Sequence, residues 1–141
     1  MSDYDPNYVE IKSFFLVCAK VVLLNAHNEV LLLKRSSLSV NAGNWDLPGG
    51  AVDAHESPET GAIREVVEET GIVIDSAKIL SSELDENHKD PIVILGFSAH
   101  VDNSEVVLSW EHDAYQWVSI DDALRNETLP EVYKTMIRSS L

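Results

Sequence analysis

The stretch Gly50–Ile72, GAVDAHESPETGAIREVVEETGI, concentrates glutamates in one short segment. Glu56 comes first, then Arg64–Glu65, then Glu68–Glu69. Crowded carboxylates repel one another and destabilise a fold unless a positive charge lies among them. A metal site is therefore the leading explanation, and a metal bound by carboxylates alone usually faces phosphates.

This stretch is predicted to contain a helix. Ser57 suits the N-cap, Pro58 suits the first helical position, and Gly71 suits the end. At about 100° per residue, three carboxylates fall on one face: Glu65, Glu68 and Glu69. We expect the apolar face to pack on the core and this acidic ridge to face outward.

Two further residues of the helix are predicted to serve the ridge. Gly61 lies one turn before Glu65. A glycine inside a helix costs about 1 kcal/mol relative to alanine, which favours a close approach of a ligand or a loop at that point. Arg64 is placed to pair with Glu68, four residues on, or to reach back to Glu56.

The Gly49–Gly50 turn before the helix offers backbone carbonyls to the same site. Carboxylates and carbonyls are hard oxygen ligands, which suit Mg²⁺ or Mn²⁺. The competing interpretation is an ordinary solvated helix face, because glutamate is a strong helix former.

The composition limits the class of protein. The 141 residues predict a single domain, 1–141. A net charge of −14 argues against a duplex nucleic-acid partner, whose phosphates need Lys and Arg. The lone Cys18 cannot form an internal disulfide. The N-terminus lacks the pattern of a signal peptide, and no apolar run is long enough to span a membrane. We therefore expect a cytoplasmic protein without a membrane partner.

Strands dominate the predicted secondary structure. Residues 1–11 are predicted to be a loose arm or an edge strand. Strands or extended pieces are predicted at Ser13–Leu24, Glu29–Lys34, Trp45–Gly50, Ile72–Ile79, Ile92–Val101, Val106–Leu108 and Tyr115–Val118. Short helices are predicted at Ile120–Arg125 and Glu131–Ser140. This order favours an α/β fold with a mixed sheet covered by helices.

The spacing of the acidic stretch resembles a known motif. Gly50-x5-Glu56-x7-Arg64-Glu65-Val66-x-Glu68-Glu69-x-Gly71-Ile72 is similar to the Nudix box (residues 50–72) at every defined position. The flanking stretches LLLKRS at 31–36, GNWDLPGG at 43–50 and EHDAYQWVSIDDA at 111–123 are typical of small MutT-like Nudix hydrolases. The resemblance implies an α/β/α sandwich around a mixed sheet.

The resemblance also implies roles for individual residues. The metal ligands would be Glu65, Glu68, Glu69 and the Gly49 carbonyl. Glu56 and Arg64 would organise the loop and helix through an ion pair, with Gly50 and Gly71 as structural glycines. The general base differs between relatives, and three candidates stay open: Glu65, Glu69 and the distal Glu111. Outside the box, Lys34 and Arg35 are predicted to meet phosphates, and Trp45 is a candidate for stacking on a base.

The implied reaction is Mg²⁺-dependent cleavage of a diphosphate linkage in a nucleoside diphosphate derivative. The MutT-like flanks favour a nucleoside triphosphate, with oxidised dGTP as the example, giving the monophosphate and pyrophosphate. One alternative is an ADP-ribose or nucleotide-sugar pyrophosphatase. Another is a non-catalytic nucleotide sensor, against which the intact box glutamates argue. The expected partner is a small nucleotide, and the protein is expected to be a monomer or a homodimer.

Overall fold

The computed structural model describes residues 3–102 and 105–141. In this part of the chain, seven strands and three helices follow one another in the order β1 Leu16–Leu24, β2 Val30–Arg35, β3 Trp45–Asp46, β4 Gly49–Ala51, α1 Pro58–Thr70, β5 Lys78–Asp85, β6 Ile92–His100, β7 His112–Val118, α2 Ile120–Arg125 and α3 Glu131–Ser139. Within these residues, none of the helices is long and apolar enough to span a membrane.

Strand β1 lies at the centre of one mixed sheet with the path β3-β2-β1-β6-β5. It runs antiparallel to β2 and β4 and parallel to β6, with Leu16 opposite Ile92 and Leu24 opposite His100. Strand β7 pairs antiparallel with β2. The pairing of β4 with β1 places Gly49 opposite Lys20, so the turn before the acidic helix is built onto the central strand.

The side chains of β1 alternate between two apolar clusters, as expected for a strand buried on both faces. Val21 and Leu23 pack on the side of α1, together with Val66. Val22 packs on the other side, with Met136 of α3. The predicted arrangement of a mixed sheet between helices is therefore confirmed.

Helix α1 has the predicted ends. Ser57 caps it by accepting a hydrogen bond from the Thr60 N–H at 3.1 Å, and Pro58 is the first helical residue. Gly71 ends the helix in the left-handed conformation, with φ at 72°, and its N–H donates to the Val67 carbonyl. Glycine adopts this backbone conformation without steric cost, so the sequence fixes where the acidic helix ends.

Two predicted strands are wrong. Residues 72–77 form no strand, and β5 begins only at Lys78, because Ile72 and Ile74 are buried by packing in a loop rather than by strand pairing. Val106–Leu108 is not a strand either. There the Val107 N–H donates to the Thr70 carbonyl at the end of α1, at 2.8 Å. Apolar residues in irregular segments produced both errors.

Other boundaries moved by a few residues. Strand β1 begins at Leu16 rather than at residue 13, and β7 begins at His112 rather than at residue 115. The extended piece Trp45–Gly50 is divided into β3 and the start of β4. Residues 3–11 form no strand and are exposed, which agrees with the loose-arm alternative for the described part of 1–11.

Candidate functional site

The three box glutamates of α1 differ sharply in burial. The side chain of Glu68 is 56% exposed and that of Glu65 is 14% exposed, whereas Glu69 is only 2% exposed. The expectation of an acidic ridge facing outward is therefore wrong for Glu69. Its side chain points into the protein because the Gly49 turn lies across that part of the helix.

The buried Glu69 is held by the backbone of that turn. Its Oε2 accepts a hydrogen bond from the Gly49 N–H at 3.0 Å. Burial raises the pKa of Glu69 to about 8, although Lys20 and the Gly49 hydrogen bond both act in the opposite direction. Gly49 has φ at 133°, and a Cβ there would lie 2.0 Å from the Ala19 carbonyl oxygen. Only glycine brings this N–H to Glu69.

The Gly49 carbonyl faces a buried lysine. It accepts a hydrogen bond from Lys20 Nζ at 3.1 Å. The same ammonium donates to both carboxylate oxygens of Asp46, at 3.1 and 3.2 Å, and to the Leu47 carbonyl at 3.1 Å. We name Lys20, Asp46 and these two carbonyls the Lys20 cluster. A carbonyl oxygen has two lone pairs, so this bond leaves Gly49 able to accept once more.

Burial disfavours both charges of the Lys20 cluster, but their mutual attraction prevails. The Asp46 carboxylate holds the pKa of Lys20 above its ordinary value despite burial. The Lys20 ammonium likewise holds the pKa of Asp46 well below its usual range against the same burial. Both groups therefore remain ionised across the physiological range.

Arg64 organises the outer side of the site. Its guanidinium donates to Glu56 at 2.7 and 3.2 Å, to Glu65 at 3.1 Å and to Glu68 at 3.2 Å. It also donates to the Ala51 carbonyl at 3.1 Å. The sequence left a choice between Glu68 and Glu56, and the structure shows both contacts. We name Arg64 and these partners the Arg64 cluster, in which the hydrogen bond from Arg64 lowers the pKa of Glu56.

Two glycines make room for carboxylates of the Arg64 cluster. A Cβ at Gly50 would lie 2.9 Å from the Glu65 carboxyl group. A Cβ at Gly61 would lie 2.8 Å from Glu56 Oε1 and 3.4 Å from Val52. The close approach expected at Gly61 is therefore made by the loop before the helix.

Glu111 lies within electrostatic range of the box. Burial raises the pKa of Glu65, and the negative charges of Glu68 and Glu111 raise it further. The Glu111 carbonyl accepts from the Ser36 N–H and from Ser39 Oγ, each at 2.9 Å, which fixes its loop against the end of β2. Its predicted role as a base remains a prediction.

The contacts described for the three predicted substrate residues are with groups outside the acidic helix. Arg35 donates to Asp46 Oδ2 at 2.9 Å and also to the Val40 carbonyl, so its guanidinium holds the protein's own oxygens. Trp45 is half-buried and packs against the apolar cluster on the α2 and α3 side. Lys34 is half-buried and lies opposite Trp45 across the β2–β3 pair. Their contacts with substrate remain predictions.

Two features of the site escaped the sequence prediction. One is the Lys20 cluster, which also has the buried His112 at 3.7 Å from Asp46 Oδ2. A lysine inside an apolar strand needs buried partners, and that was the available signal. The other is Trp110, an aromatic side chain that is 67% exposed and immediately precedes Glu111 in the sequence.

The chemistry of the donor set fits a divalent cation, although the side chains are not gathered into a cage. Among residues 3–102 and 105–141, no group of three or more His, Cys, Asp or Glu side chains is assembled as a metal site. Arg64 lies between Glu65 and Glu68, and Glu69 points inward. The donors are all hard oxygens, and a buried carboxylate with a raised pKa gains from a nearby cation.

A helix-covered mixed sheet, with a carboxylate-rich helix against a Gly-Gly turn, defines the chain as a Nudix-type hydrolase. The NUDIX domain model matches residues 15–139, and the chain belongs to this family. Nudix hydrolases act on nucleoside diphosphate derivatives and generally use divalent metal ions.

A MutT protein structure from Methanosarcina mazei Go1 is similar over nearly the whole chain. It is 36% identical with a TM-score of 0.82, and the match covers 93% of this chain and 96% of that one. A bis(5'-nucleosyl)-tetraphosphatase [asymmetrical] from Rattus norvegicus is 32% identical over 118 residues, 79% of this chain and 78% of that protein.

A putative 8-oxo-dGTP diphosphatase from Bacillus subtilis is 49% identical over 53 residues. That match covers 38% of this chain and about a third, 33%, of the relative's own length. The family and fold are therefore shown over most of the chain, whereas this higher similarity is confined to a short part of each protein.

Proposed function

We propose that this protein is a Mg²⁺-dependent pyrophosphohydrolase, able also to use Mn²⁺, that cleaves nucleoside triphosphates to the monophosphate and pyrophosphate. Oxidised dGTP is the substrate we favour. The observation that carries the proposal is the buried Glu69 carboxylate, held by Gly49 and followed outward by the progressively more exposed Glu65 and Glu68. The similarity to the Bacillus subtilis relative supports the choice of substrate.

The proposed cation ligands are Glu65, Glu68, Glu69 and the Gly49 carbonyl. A bound divalent cation neutralises phosphate oxygens and lowers the pKa of water. Such a cation also explains how a protein with a net charge of −14 admits a polyanion. Glu56 and Arg64 position the helix and its preceding loop, Gly50 leaves space for Glu65, and Gly71 ends the helix.

The general base is one of three carboxylates: Glu65, Glu69 or Glu111. A base works best with a pKa near the operating pH, and the pKa values of Glu65 and Glu69 are both raised. Replacing each by Gln and recording kcat against pH separates them. The variant of the base loses the acidic limb of the profile, whereas the other two variants keep it at lower activity.

We propose that the nucleotide lies along the loops beside the box. Lys34 would meet the phosphates, and Arg35 would act through Asp46 by fixing the loop that follows β2. Trp45 and the exposed Trp110 would supply aromatic surfaces for stacking on the nucleobase. The occupied guanidinium of Arg35 makes Lys34 the stronger candidate for direct contact.

A second candidate substrate is a dinucleoside tetraphosphate. The Rattus norvegicus relative supports it because its match covers more than three quarters of both chains. ADP-ribose, nucleotide sugars and a non-catalytic sensor remain the other candidates. A sensor would bind nucleotide without turnover, so hydrolysis at any measurable rate distinguishes it from the enzymes.

The test is a hydrolysis screen with and without excess chelator. The panel holds 8-oxo-dGTP, dGTP, a dinucleoside tetraphosphate, ADP-ribose and a nucleotide sugar, and products are separated by chromatography. We expect 8-oxo-dGTP to give monophosphate and pyrophosphate with the highest kcat/KM, and only with divalent cation. Turnover without cation, or a clear preference for another substrate, would contradict the proposal. Glu127→Gln changes an exposed glutamate outside the box and is the control for the Glu→Gln variants within the box.

A further inference from the structure

Lys20 lies in the core, beneath the turn that carries the candidate metal ligands. It is 6% exposed and stands in β1 between the fully buried Ala19 and Val21. Its Nζ has four oxygen acceptors within 3.1 to 3.2 Å and lies 5.3 Å from the centre of the Tyr133 ring. A buried ammonium is tolerated only when its donors are satisfied, and here all three have acceptors.

The bonds from Lys20 end on the segment Leu47–Gly49. Lys20 holds the carbonyls on either side of Pro48, and the Pro48 carbonyl itself accepts from the Val21 N–H at 2.8 Å. On the opposite side of the same segment, the Gly49 N–H holds the Glu69 carboxylate. Gly49 is therefore fixed through its oxygen by a buried cation and through its nitrogen by a box glutamate.

We infer that Lys20 is a positioning residue of the candidate metal site. Its ammonium fixes the Leu47–Gly49 segment so that the Gly49 carbonyl and the Glu69 carboxylate are presented together to a divalent cation. The inference rests on the proposed function, because it assigns a partner to the proposed ligands. Lys20 acts through Gly49 and does not touch substrate. A lysine with a purely structural role would affect stability and leave cation affinity unchanged.

The test compares Asp46→Asn with the double variant Lys20→Met/Asp46→Asn. The single variant keeps Lys20 and its bonds to the Leu47 and Gly49 carbonyls, but adds one net positive charge to the pair. The double variant replaces a neutral ion pair with two neutral side chains and removes the carbonyl bonds. Charge and position therefore predict opposite orders of cation affinity, because added positive charge repels a metal ion.

The main readout is the dissociation constant for Mn²⁺, measured by calorimetry without nucleotide, with urea unfolding recorded for each variant. We expect the double variant to bind Mn²⁺ about 10- to 100-fold more weakly than the wild type, the usual effect of losing a residue that orients a ligand. Asp46→Asn is expected to stay closer to the wild type. In turnover assays of the double variant, we expect kcat to recover at saturating Mn²⁺ and KM for the nucleotide to stay unchanged. Lys78→Met, which removes an exposed lysine of β5, is the matched control and leaves Mn²⁺ affinity unchanged.

Wild-type affinity for Mn²⁺ in a folded double variant would overturn the inference and leave the proposed function intact. Failure of the wild type to bind Mn²⁺ would instead overturn the proposed function. If the double variant does not fold, Lys20→Arg replaces it. That variant keeps the charge, but a planar fork does not reproduce the contacts of a compact ammonium. We expect about a tenfold loss of Mn²⁺ affinity, and unchanged affinity would again overturn the inference.

Discussion

The Arg64 cluster and the Lys20 cluster lie on two sides of one turn and contain the same kinds of group. In each, one cation donates to carboxylate and backbone carbonyl oxygens next to Gly49–Gly50. They differ in their access to water. The Arg64 side chain is 28% exposed and the Glu68 side chain 56%, whereas those of Lys20 and Asp46 are 7% and 5% exposed.

This difference separates a permanent scaffold from an adjustable contact. A buried ion pair is costly to break because the remaining charge is neither paired nor solvated. A partly exposed pair rearranges at little cost, because water replaces each lost partner. Under the proposed function, Glu65 and Glu68 of the Arg64 cluster would exchange partners when a cation binds, and the Lys20 cluster would stay fixed.

The largest expected effect comes from breaking the buried cluster. Asp46→Ala leaves Lys20 without its counter-charge, and we expect a loss of about 3–5 kcal/mol in the free energy of unfolding, measured with urea. Arg64→Ala is expected to cost only about 1 kcal/mol. Arg138→Ala removes a single exposed ion pair with Glu131 and serves as the control. Equal losses in the first two variants would show that the two clusters do not differ in kind.

The second prediction concerns activity rather than stability. Glu68→Gln removes a proposed cation ligand from the exposed cluster, so we expect kcat/KM to fall by about 100-fold or more while the free energy of unfolding changes little. Glu127→Gln keeps full activity. Wild-type turnover by Glu68→Gln would remove Glu68 from the proposed ligand set.

The third prediction uses the cation itself. If Mg²⁺ binds the proposed ligands, it binds only the folded site, and at a hundred times its dissociation constant it stabilises the fold by about 2.7 kcal/mol. Thermal unfolding with and without Mg²⁺ measures the shift. Glu69→Gln is expected to show a smaller shift than the wild type. An unchanged melting temperature of the wild type at saturating Mg²⁺ would contradict the proposed ligands.

The last prediction is a dependence of stability on pH. Burial raises the pKa of Glu69 to about 8 in the folded state, above the value of an unfolded glutamate. The folded protein therefore binds more protons than the unfolded chain between these two values, and stability falls as pH rises through this window. Urea unfolding without divalent cation should show this decline in the wild type and a weaker one in Glu69→Gln. Parallel curves would show that Glu69 is not the group responsible.

The sequence predicted the helix with its caps and the layered fold, because each depends on local or periodic signals. The Glu56–Arg64 pair was implied by the resemblance to the Nudix box, since spacing alone also allowed Glu68 as the partner. Ser57 and Gly71 act within one turn of the helix, and strand alternation marks the buried faces. Ile72 and Val106 show the limit of such signals. Both contact the core from irregular segments, and an apolar residue carries no information about whether its backbone pairs with a strand.

Lys20 inside an apolar strand signalled a need for buried partners, but the identity of those partners was not predictable, because they are distant in sequence and meet Lys20 only through sheet pairing. Lys20 and Gly49 become neighbours when β4 pairs with β1. The inward orientation of Glu69 has the same origin, since the helical wheel places Glu65, Glu68 and Glu69 on one side and does not locate the turn that covers one of them. Pairing register decides which charges lose contact with water.

The parallel pairing of β1 with β6 has a consequence for the order of folding. Strands β2 and β4, which pair with β1, lie within the first 51 residues, whereas β6 begins at Ile92. Closing a long loop is entropically expensive, and contacts between distant residues form late. We expect the β1–β2 hairpin and the Gly49 turn to form first. Conservative substitutions in these segments should then slow folding, whereas those in β6 should mainly speed unfolding. The Gly49 turn of the candidate site would then form before the sheet is complete.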